Sequence, residues 1–240
     1  MKLIFIRHGD PDYEHDTLTE KGIREAALLG ERVRGWKVDE LYVSCLGRAR
    51  KTAEPVEAAL NRKGIVLDWL QEFRGRVDAK RGYGDGYPWD FAPAFWTGIP
   101  ELYDKETWYR AEIMQKTGDL PSVEEVYLET CEKLDGLLAA YGCRREKGYY
   151  RVEPGNDKTI VLVCHMAITF VMLSHLLGIS FPALVHGMFL PPTSVTVVGS
   201  EEMEPGIASF RCQCMGDVWH LRKNGEPVSD KGYFGELFRE

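Results

Sequence analysis

The chain has no excess of basic residues. Its 240 residues include 37 acidic and 30 basic side chains, which gives a net charge of −7 at pH 7. A nucleic-acid-binding protein needs a basic face, so this balance argues against a nucleic-acid partner. It does not argue against a small anionic substrate, because a local group of arginines can sit within an acidic protein.

Long apolar runs are also missing. The N-terminal Met1-Lys2 leads into only four apolar residues, too few for the core of a signal peptide, and no stretch approaches the length of a membrane span. The six cysteines are scattered through a chain long enough to bury a core without disulfides. We therefore expect reduced thiols, a cytoplasmic location and no membrane partner, while the oligomeric state stays open.

Short apolar segments alternate with helical patterns along most of the chain, and there is no internal repeat. Periodicity predicts strands at residues 2–6, 39–43, 65–67, 159–163, 194–198 and 209–213. It predicts helices over 19–34, from about 44 to 60, over 123–140 and over about 167–177. Such alternation indicates an α/β fold with helices on both faces of a sheet.

Two residues allow specific predictions about the second helix. Ser44 precedes it and is expected to act as its N-cap. Pro55 falls inside it and is expected to kink it.

The segment from about 75 to 122 breaks the alternation, since it is dense in glycine, proline and aromatic residues. We expect one domain over residues 1–240, with 75–122 inserted over the sheet. Aromatic residues between 82 and 100 could form a lid on a substrate, or could simply pack the insertion onto the core. They are Tyr83, Tyr87, Trp89, Phe91, Phe95 and Trp96.

Chemically capable side chains follow three of the predicted strands. Arg7 and His8 end the first strand, Arg48 lies just after the second, and His165 follows the strand at 159–163. Ligands of α/β folds bind at the carboxyl ends of strands. Guanidinium groups bind phosphate through two hydrogen bonds, and a neutral imidazole is a competent nucleophile. Each residue alone could be structural, but their recurrence at three strand ends indicates chemistry on a phosphate.

The motifs RHG, LTEKG, SCLGRARKTAEP and CHMAIT occur in this order, and the sequence resembles the histidine phosphatase superfamily. The resemblance implies a three-layer α/β/α sandwich with a mostly parallel central sheet. It also implies a two-step mechanism through a phosphohistidine. Carried over by residue, His8 matches the nucleophile, Arg7 and Arg48 match phosphate-binding arginines, and His165 matches the second histidine that donates to the phosphoryl oxygens.

The acid that protonates the leaving group is less directly indicated. Met166 follows His165, where the acid-phosphatase branch carries an aspartate, so that branch is disfavoured. The mutase-like branch has a glutamate after the third strand, which matches Glu72, with Asp10 and Glu14 as alternatives. Asp10 and Glu14 also depart from the pattern usual in mutases, and this favours a phosphatase.

A metal site is not expected. Cys212, Cys214 and His220 have some resemblance to a ligand set but lack a convincing second pair. The sequence therefore predicts a phosphomonoesterase that uses no metal and no cofactor and acts on a small phosphorylated substrate. The alternatives are a phosphoglycerate-mutase-type phosphotransferase, or a weakly catalytic member that binds a phosphorylated ligand or a protein partner.

Overall fold

The computed structural model describes residues 1–78, 86–89, 91–115, 119 and 121–233. The strands are β1 (Lys2–Arg7), β2 (Pro11–Asp12), β3 (Thr17–Leu18), β4 (Glu40–Ser44), β5 (Ile65–Leu67), β6 (Cys143–Glu146), β7 (Tyr149–Val152), β8 (Thr159–Cys164), β9 (Val195–Glu204) and β10 (Ile207–Asp217). The helices are α1 (Glu20–Val33), α2 (Gly47–Leu60), α3 (Pro93–Trp96), α4 (Val123–Ala140), α5 (Met166–Leu177), α6 (Phe181–Gly187) and α7 (Trp219–Lys223).

Eight strands form one sheet in the order β5-β4-β8-β1-β9-β10-β7-β6. The half from β5 to β1 is paired in parallel, whereas β9, β10, β7 and β6 join by antiparallel pairing. Since β9 and β7 alone run against β1, six of the eight strands still point in one direction. The predicted α/β/α sandwich with a mostly parallel sheet is confirmed.

Alternate residues of β1 enter two separate cores, as a strand buried on both faces requires. Leu3 and Phe5 belong to the larger core, which α4, α5 and α6 cover. Ile4 and Ile6 belong to the smaller core, which α1 and α2 cover. The strand that carries the candidate nucleophile is thus fixed from both sides.

Helix α2 starts later than the sequence predicts. Leu46 is its N-cap residue and provides no side-chain cap. The expectation for Ser44 was wrong because the helix starts only at Gly47, and the Ser44 hydroxyl is hydrogen-bonded to His165 and to the Leu46 amide, outside the helix. The helix also runs as one element from Gly47 to Leu60, through Pro55.

Helix α1 begins as expected, with Thr19 as N-cap accepting a hydrogen bond from the Gly22 amide. One charged residue, Glu25, is fully buried on its inner face, while Ile23 is half exposed. The Glu25 carboxylate accepts the backbone amide hydrogen of Asp10, and this bond accounts for an acid in the core.

The inserted segment is anchored by aromatic packing. Trp108 is fully buried, stacks on Phe181 at 5.2 Å between ring centroids and contacts Tyr127 edge-on. Beyond it, Ser122 caps α4 through the amide of Glu125. Among the described residues, no helix combines the length and apolar character needed to cross a membrane.

Candidate active site

Three adjacent parallel strands bring the predicted site residues to one edge of the sheet. Arg7 of β1 lies in register with Cys164 of β8, and the His8 amide donates to the Cys164 carbonyl at 3.0 Å. Strand β4 on the other side of β8 ends at Ser44. The structure thus brings together the residues that the sequence places at three separate strand ends.

His8 is held as a neutral imidazole with a defined tautomer. Its Nδ1 lies 2.8 Å from the carbonyl oxygen of Gly9, which can only accept, so Nδ1 carries the hydrogen and Nε2 keeps its lone pair. Burial and then the charges of Arg7 and Arg48 lower the pKa of His8 well below 6.5. An unprotonated Nε2 is the form a nucleophile requires.

Gly9 makes this turn possible through a close backbone approach. A Cβ at Gly9 would lie 2.9 Å from the carbonyl oxygen of Gly22 in α1, nearer than real Cβ atoms come. The Gly9 amide donates to the hydroxyl of Thr52 in α2 at 2.9 Å. Helices α1 and α2 therefore fix the backbone beside His8.

Arg7 is fixed by backbone carbonyls from two distant segments. Its Nη1 donates to Leu190 at 2.6 Å and its Nη2 donates to Lys231 at 2.8 Å. Its Cζ also lies 5.6 Å from the centre of the Phe189 ring. The guanidinium is thus positioned before any ligand binds.

Arg48 lies in the first turn of α2 and is oriented by an acid from the loop after β2. Its Nη1 donates to Asp16 Oδ1 at 2.7 Å, and the other oxygen of Asp16 accepts the Gly47 amide. The Arg48 Cζ lies 5.5 Å from the ring centre of Tyr13. Asp16 therefore fixes both the arginine and the start of its helix.

His165 is fully buried beside His8, with 5.0 Å between the ring centroids. Its Nε2 lies 2.8 Å from Ser44 Oγ, and its Nδ1 has no hydrogen-bond partner in the described structure. Burial, followed by proximity to His8 and Arg48, lowers the pKa of His165 well below 6.5. The ring is thus neutral, with one nitrogen left for a ligand.

Glu72 lies at the start of the inserted region and contacts α5. Its Oε1 accepts the amides of Phe73 and Ile168, both at 3.0 Å. Ile168 is in the first turn of α5, so the carboxylate caps the helix that His165 precedes. Within the described residues its Oε2 has no hydrogen bond, so one oxygen is left for proton transfer.

The alternative acids are placed differently. Asp10 is buried, and its two carboxylate oxygens accept the hydroxyls of Thr19 and Ser229. Glu14 is exposed in the following turn, where its amide bonds to Asp12. Neither lines the cavity next to His8, whereas Glu72 does.

That cavity has a volume of about 1150 Å³. Its wall includes Arg7, His8, Arg48 and Glu72, while His165 lies behind His8. It is much larger than a phosphoryl group, so it has room for the organic part of a substrate.

Comparison with known proteins agrees with this geometry. The sequence profile of the histidine phosphatase superfamily (branch 1) matches residues 3–81, which include four of the five predicted site residues. A probable phosphoglycerate mutase, GpmB, of Klebsiella pneumoniae (strain 342) is 26% identical over 92% of this chain and 95% of its own length. The chain is thus similar to the histidine phosphatase superfamily over its first third, and to GpmB along nearly its whole length.

Other similar proteins include both mutases and phosphatases. A 2,3-bisphosphoglycerate-dependent phosphoglycerate mutase of Brucella ovis is 32% identical over 39% of this chain and 50% of its own. Among solved structures, a phosphoserine phosphatase mutant of Entamoeba histolytica has a TM-score of 0.60 at 19% identity, covering 92% of this chain and 98% of its own. A mycobacterial glucosyl-3-phosphoglycerate phosphatase has a TM-score of 0.60 at 17% identity, and the match covers 90% of this chain and 98% of the phosphatase chain. At these identities the structures show the shared fold.

The aromatic residues between 82 and 100 divide into two groups. Tyr87 and Trp89 line the cavity, with 4.8 Å between their ring centroids. Phe91 and Trp96 instead stack on His186. Phe95 lies beside Phe91, and Tyr83 is outside the described residues. The expected packing is thus seen for Phe91, Phe95 and Trp96, while a lid formed by Tyr87 and Trp89 stays a prediction.

The cysteines and histidine near the C-terminal end do not assemble into a ligand set. His220 is buried, with Nε2 3.0 Å from the Thr193 hydroxyl and Nδ1 3.3 Å from Arg32 Nη1. Cys212 Sγ contacts the backbone of Cys214. In the described part of the chain, no three His, Cys, Asp or Glu side chains are grouped to hold a metal ion.

The sequence reasoning did not identify Thr193 as a site residue. Its amide donates to the carbonyls of both Arg7 and His8, each at 3.1 Å, and its φ of 56° lies in the left-handed region. Such a φ is uncommon for a threonine and marks a constrained position. The sequence PPTSV, which contains Thr193 and leads into β9, is the feature of the sequence that could have pointed to this residue.

Proposed function

We propose that this protein is a phosphomonoesterase that hydrolyses a small organic phosphate through a phosphohistidine on His8. The observation that most directly supports this proposal is the hydrogen bond from His8 Nδ1 to the Gly9 carbonyl. It leaves an unprotonated Nε2 at a cavity lined by Arg7 and Arg48. This combination supplies both a nucleophile and a phosphate site.

In the first step, Nε2 of His8 attacks phosphorus, and an N–P bond forms while the bond to the leaving oxygen breaks. Glu72, in its acid form, gives its proton to the departing alkoxide. In the second step, the Glu72 carboxylate takes a proton from water as the water oxygen attacks phosphorus. The N–P bond then breaks, inorganic phosphate leaves, and neutral His8 and protonated Glu72 are restored.

Three nitrogens at the site support this assignment. Arg7 Nε, Arg48 Nε and His165 Nδ1 are buried and have no hydrogen-bond partner in the described structure. Buried donors usually have partners, and phosphoryl oxygens would supply them. Donors placed in advance around developing charge are the main requirement of phosphoryl transfer. Because these groups supply the positive charge, we propose that turnover needs no metal or cofactor.

A phosphoglycerate-mutase-type phosphotransferase is the second candidate. It is favoured by the similarity to GpmB, a probable phosphoglycerate mutase, along nearly the whole chain. The similar solved structures carry phosphatase names. Asp10 and Glu14, which differ from the usual mutase pattern, favour the phosphatase. A cytoplasmic location fits a small phosphorylated substrate and is part of the proposal.

Trapping the intermediate tests the proposal. Labelled substrate, quenched without acid, should leave a phosphoenzyme that survives alkali and is lost in acid, as phosphoramidates are. His8→Ala should abolish both the label and turnover, while activity should survive exhaustive chelation. Normal turnover in His8→Ala would overturn the mechanism. Isomerisation of phosphoglycerate that depends on a bisphosphoglycerate primer and exceeds phosphate release would favour the mutase.

A further inference from the structure

Two more arginines line the cavity, apart from Arg7 and Arg48. Arg74 and Arg76 lie on the segment after Glu72. Arg76 is firmly placed, because its amide donates to the Pro121 carbonyl at 2.9 Å and its Cζ lies 3.4 Å from the ring centre of Tyr87. Its Nη2 also donates to the Tyr87 hydroxyl at 2.7 Å. A guanidinium held flat on an aromatic ring loses less entropy when it binds a ligand.

In the described part of the chain, no acidic side chain is paired with either of these two arginines. Within the described residues, neither Arg74 nor Arg76 forms a salt bridge. Glu72 is the single carboxylate among the described residues that line the cavity. The wall formed by Arg74 and Arg76 is thus suited to an anion.

The proposed function assigns two of the four arginines to the reacting phosphoryl group and leaves the other two without a role. That group contacts Arg7 and Arg48 next to His8, while a cavity of about 1150 Å³ extends well beyond it. We infer that Arg74 and Arg76 form a second anion subsite, so that the substrate is a phosphomonoester with another anionic group, a carboxylate or a second phosphate. The inference rests on the proposed function for the position of the reacting phosphate.

Matched substrate pairs test the subsite. The pair 3-phosphoglycerate and racemic glycerol 3-phosphate differs by a carboxylate, and the pair fructose 1,6-bisphosphate and fructose 6-phosphate differs by a phosphate. In the unaltered protein we expect kcat/KM to be at least about tenfold higher for the member of one pair that carries two anionic groups. The reason is that a charged hydrogen bond contributes about 1.5–3 kcal/mol. Which pair shows the preference identifies the second anion.

The double variant Arg74→Met/Arg76→Met should bring that ratio close to one, mainly through KM. Arg144→Met is the matched control, because Arg144 is exposed on β6 and does not line the cavity. Arg74→Met alone changes an exposed side chain and should lower the ratio even if the double variant folds poorly.

Calorimetry measures how tightly the four esters bind to the His8→Ala protein, and this separates the proposed function from the proposed subsite. If no ester is hydrolysed but binding still favours the doubly anionic ligand through Arg74 and Arg76, the proposed function fails and the subsite stands. If esters are hydrolysed with equal kcat/KM within both pairs, the subsite is wrong and the proposed function stands. A preference that the double variant retains also overturns the subsite.

Discussion

Ser44 Oγ lies 2.8 Å from Nε2 of His165. The Leu46 amide already donates to the same hydroxyl, so we assign the hydroxyl hydrogen to the bond with Nε2. The proton of the neutral imidazole then resides on Nδ1, the buried nitrogen that has no partner among the described residues. Ser44 would thereby make His165 a hydrogen-bond donor toward the phosphoryl group.

Replacing Ser44 tests this tautomer. Ser44→Ala should lower kcat about fivefold, the effect of losing one neutral hydrogen bond of about 1 kcal/mol, with little change in KM. Ser44→Thr keeps the hydroxyl and should restore most of the loss. If the alanine variant has the kcat of the unaltered protein, Ser44 does not orient His165.

Replacing Glu72 tests the leaving-group acid. Glu72→Gln should slow hydrolysis of an alkyl phosphate by about 10²–10⁴-fold, while p-nitrophenyl phosphate, whose leaving group needs no proton, should be affected far less. The amide oxygen of glutamine can still accept the Ile168 amide, so the thermal midpoint should change little. Equal losses on both substrates, together with a lowered midpoint, would make Glu72 a structural cap of α5.

The depressed pKa of His8 predicts activity under acidic conditions. Protonation removes the nucleophile, and burial and two arginines hold the pKa of His8 well below 6.5. The acid limb of the profile of kcat/KM against pH, which reports groups of the free enzyme, should therefore lie well below pH 6.5. A limb centred at the pKa of an ordinary histidine would show that His8 is not held neutral by its surroundings.

Glu25 should make stability depend on pH. Burial raises the pKa of Glu25 to about 7, from 4.5, although Lys21 lies 3.7 Å from its carboxylate. Because the folded state then binds more protons, this contribution to the free energy of unfolding is full below pH 4.5 and is lost as pH rises through 7.

Glu25→Gln should remove that dependence, and denaturant unfolding at several pH values measures it. Relative to the unaltered protein, the variant should gain stability between pH 6 and 8, by an upper limit of about 3 kcal/mol. Glu31→Gln, on the exposed side of α1, is the control. A parallel pH profile in Glu25→Gln and the unaltered protein would contradict the prediction.

Local sequence patterns were sufficient to place four of the proposed site residues at strand ends. Arg7, His8, Arg48 and His165 each follow a short apolar strand, and parallel strands bring such ends together. The residues that fix them were harder to find. Leu190 and Lys231 contact Arg7 across 183 and 224 positions of the chain, and no local periodicity reports such a contact.

The predicted bounds of two strands were too short where their residues leave the core. Strand β10 continues to Asp217, which pairs with Val195. Strand β9 extends to Glu204 and β10 starts at Ile207, beyond the predicted bounds, because these parts pair with each other in a hairpin that is largely exposed. There the alternation of apolar and polar residues fades, since neither face packs against a core.

The carbonyl of Lys231 that fixes Arg7 has a consequence for biosynthesis. A ribosome makes Arg7, His8 and His165 long before residue 231. A nascent chain that has already paired β1 with β8 would therefore carry the nucleophile beside an arginine held on one side only. The proposed phosphate-binding end of the site is completed by a segment made 224 positions after Arg7, so the site reaches its full order only after that segment has left the ribosome.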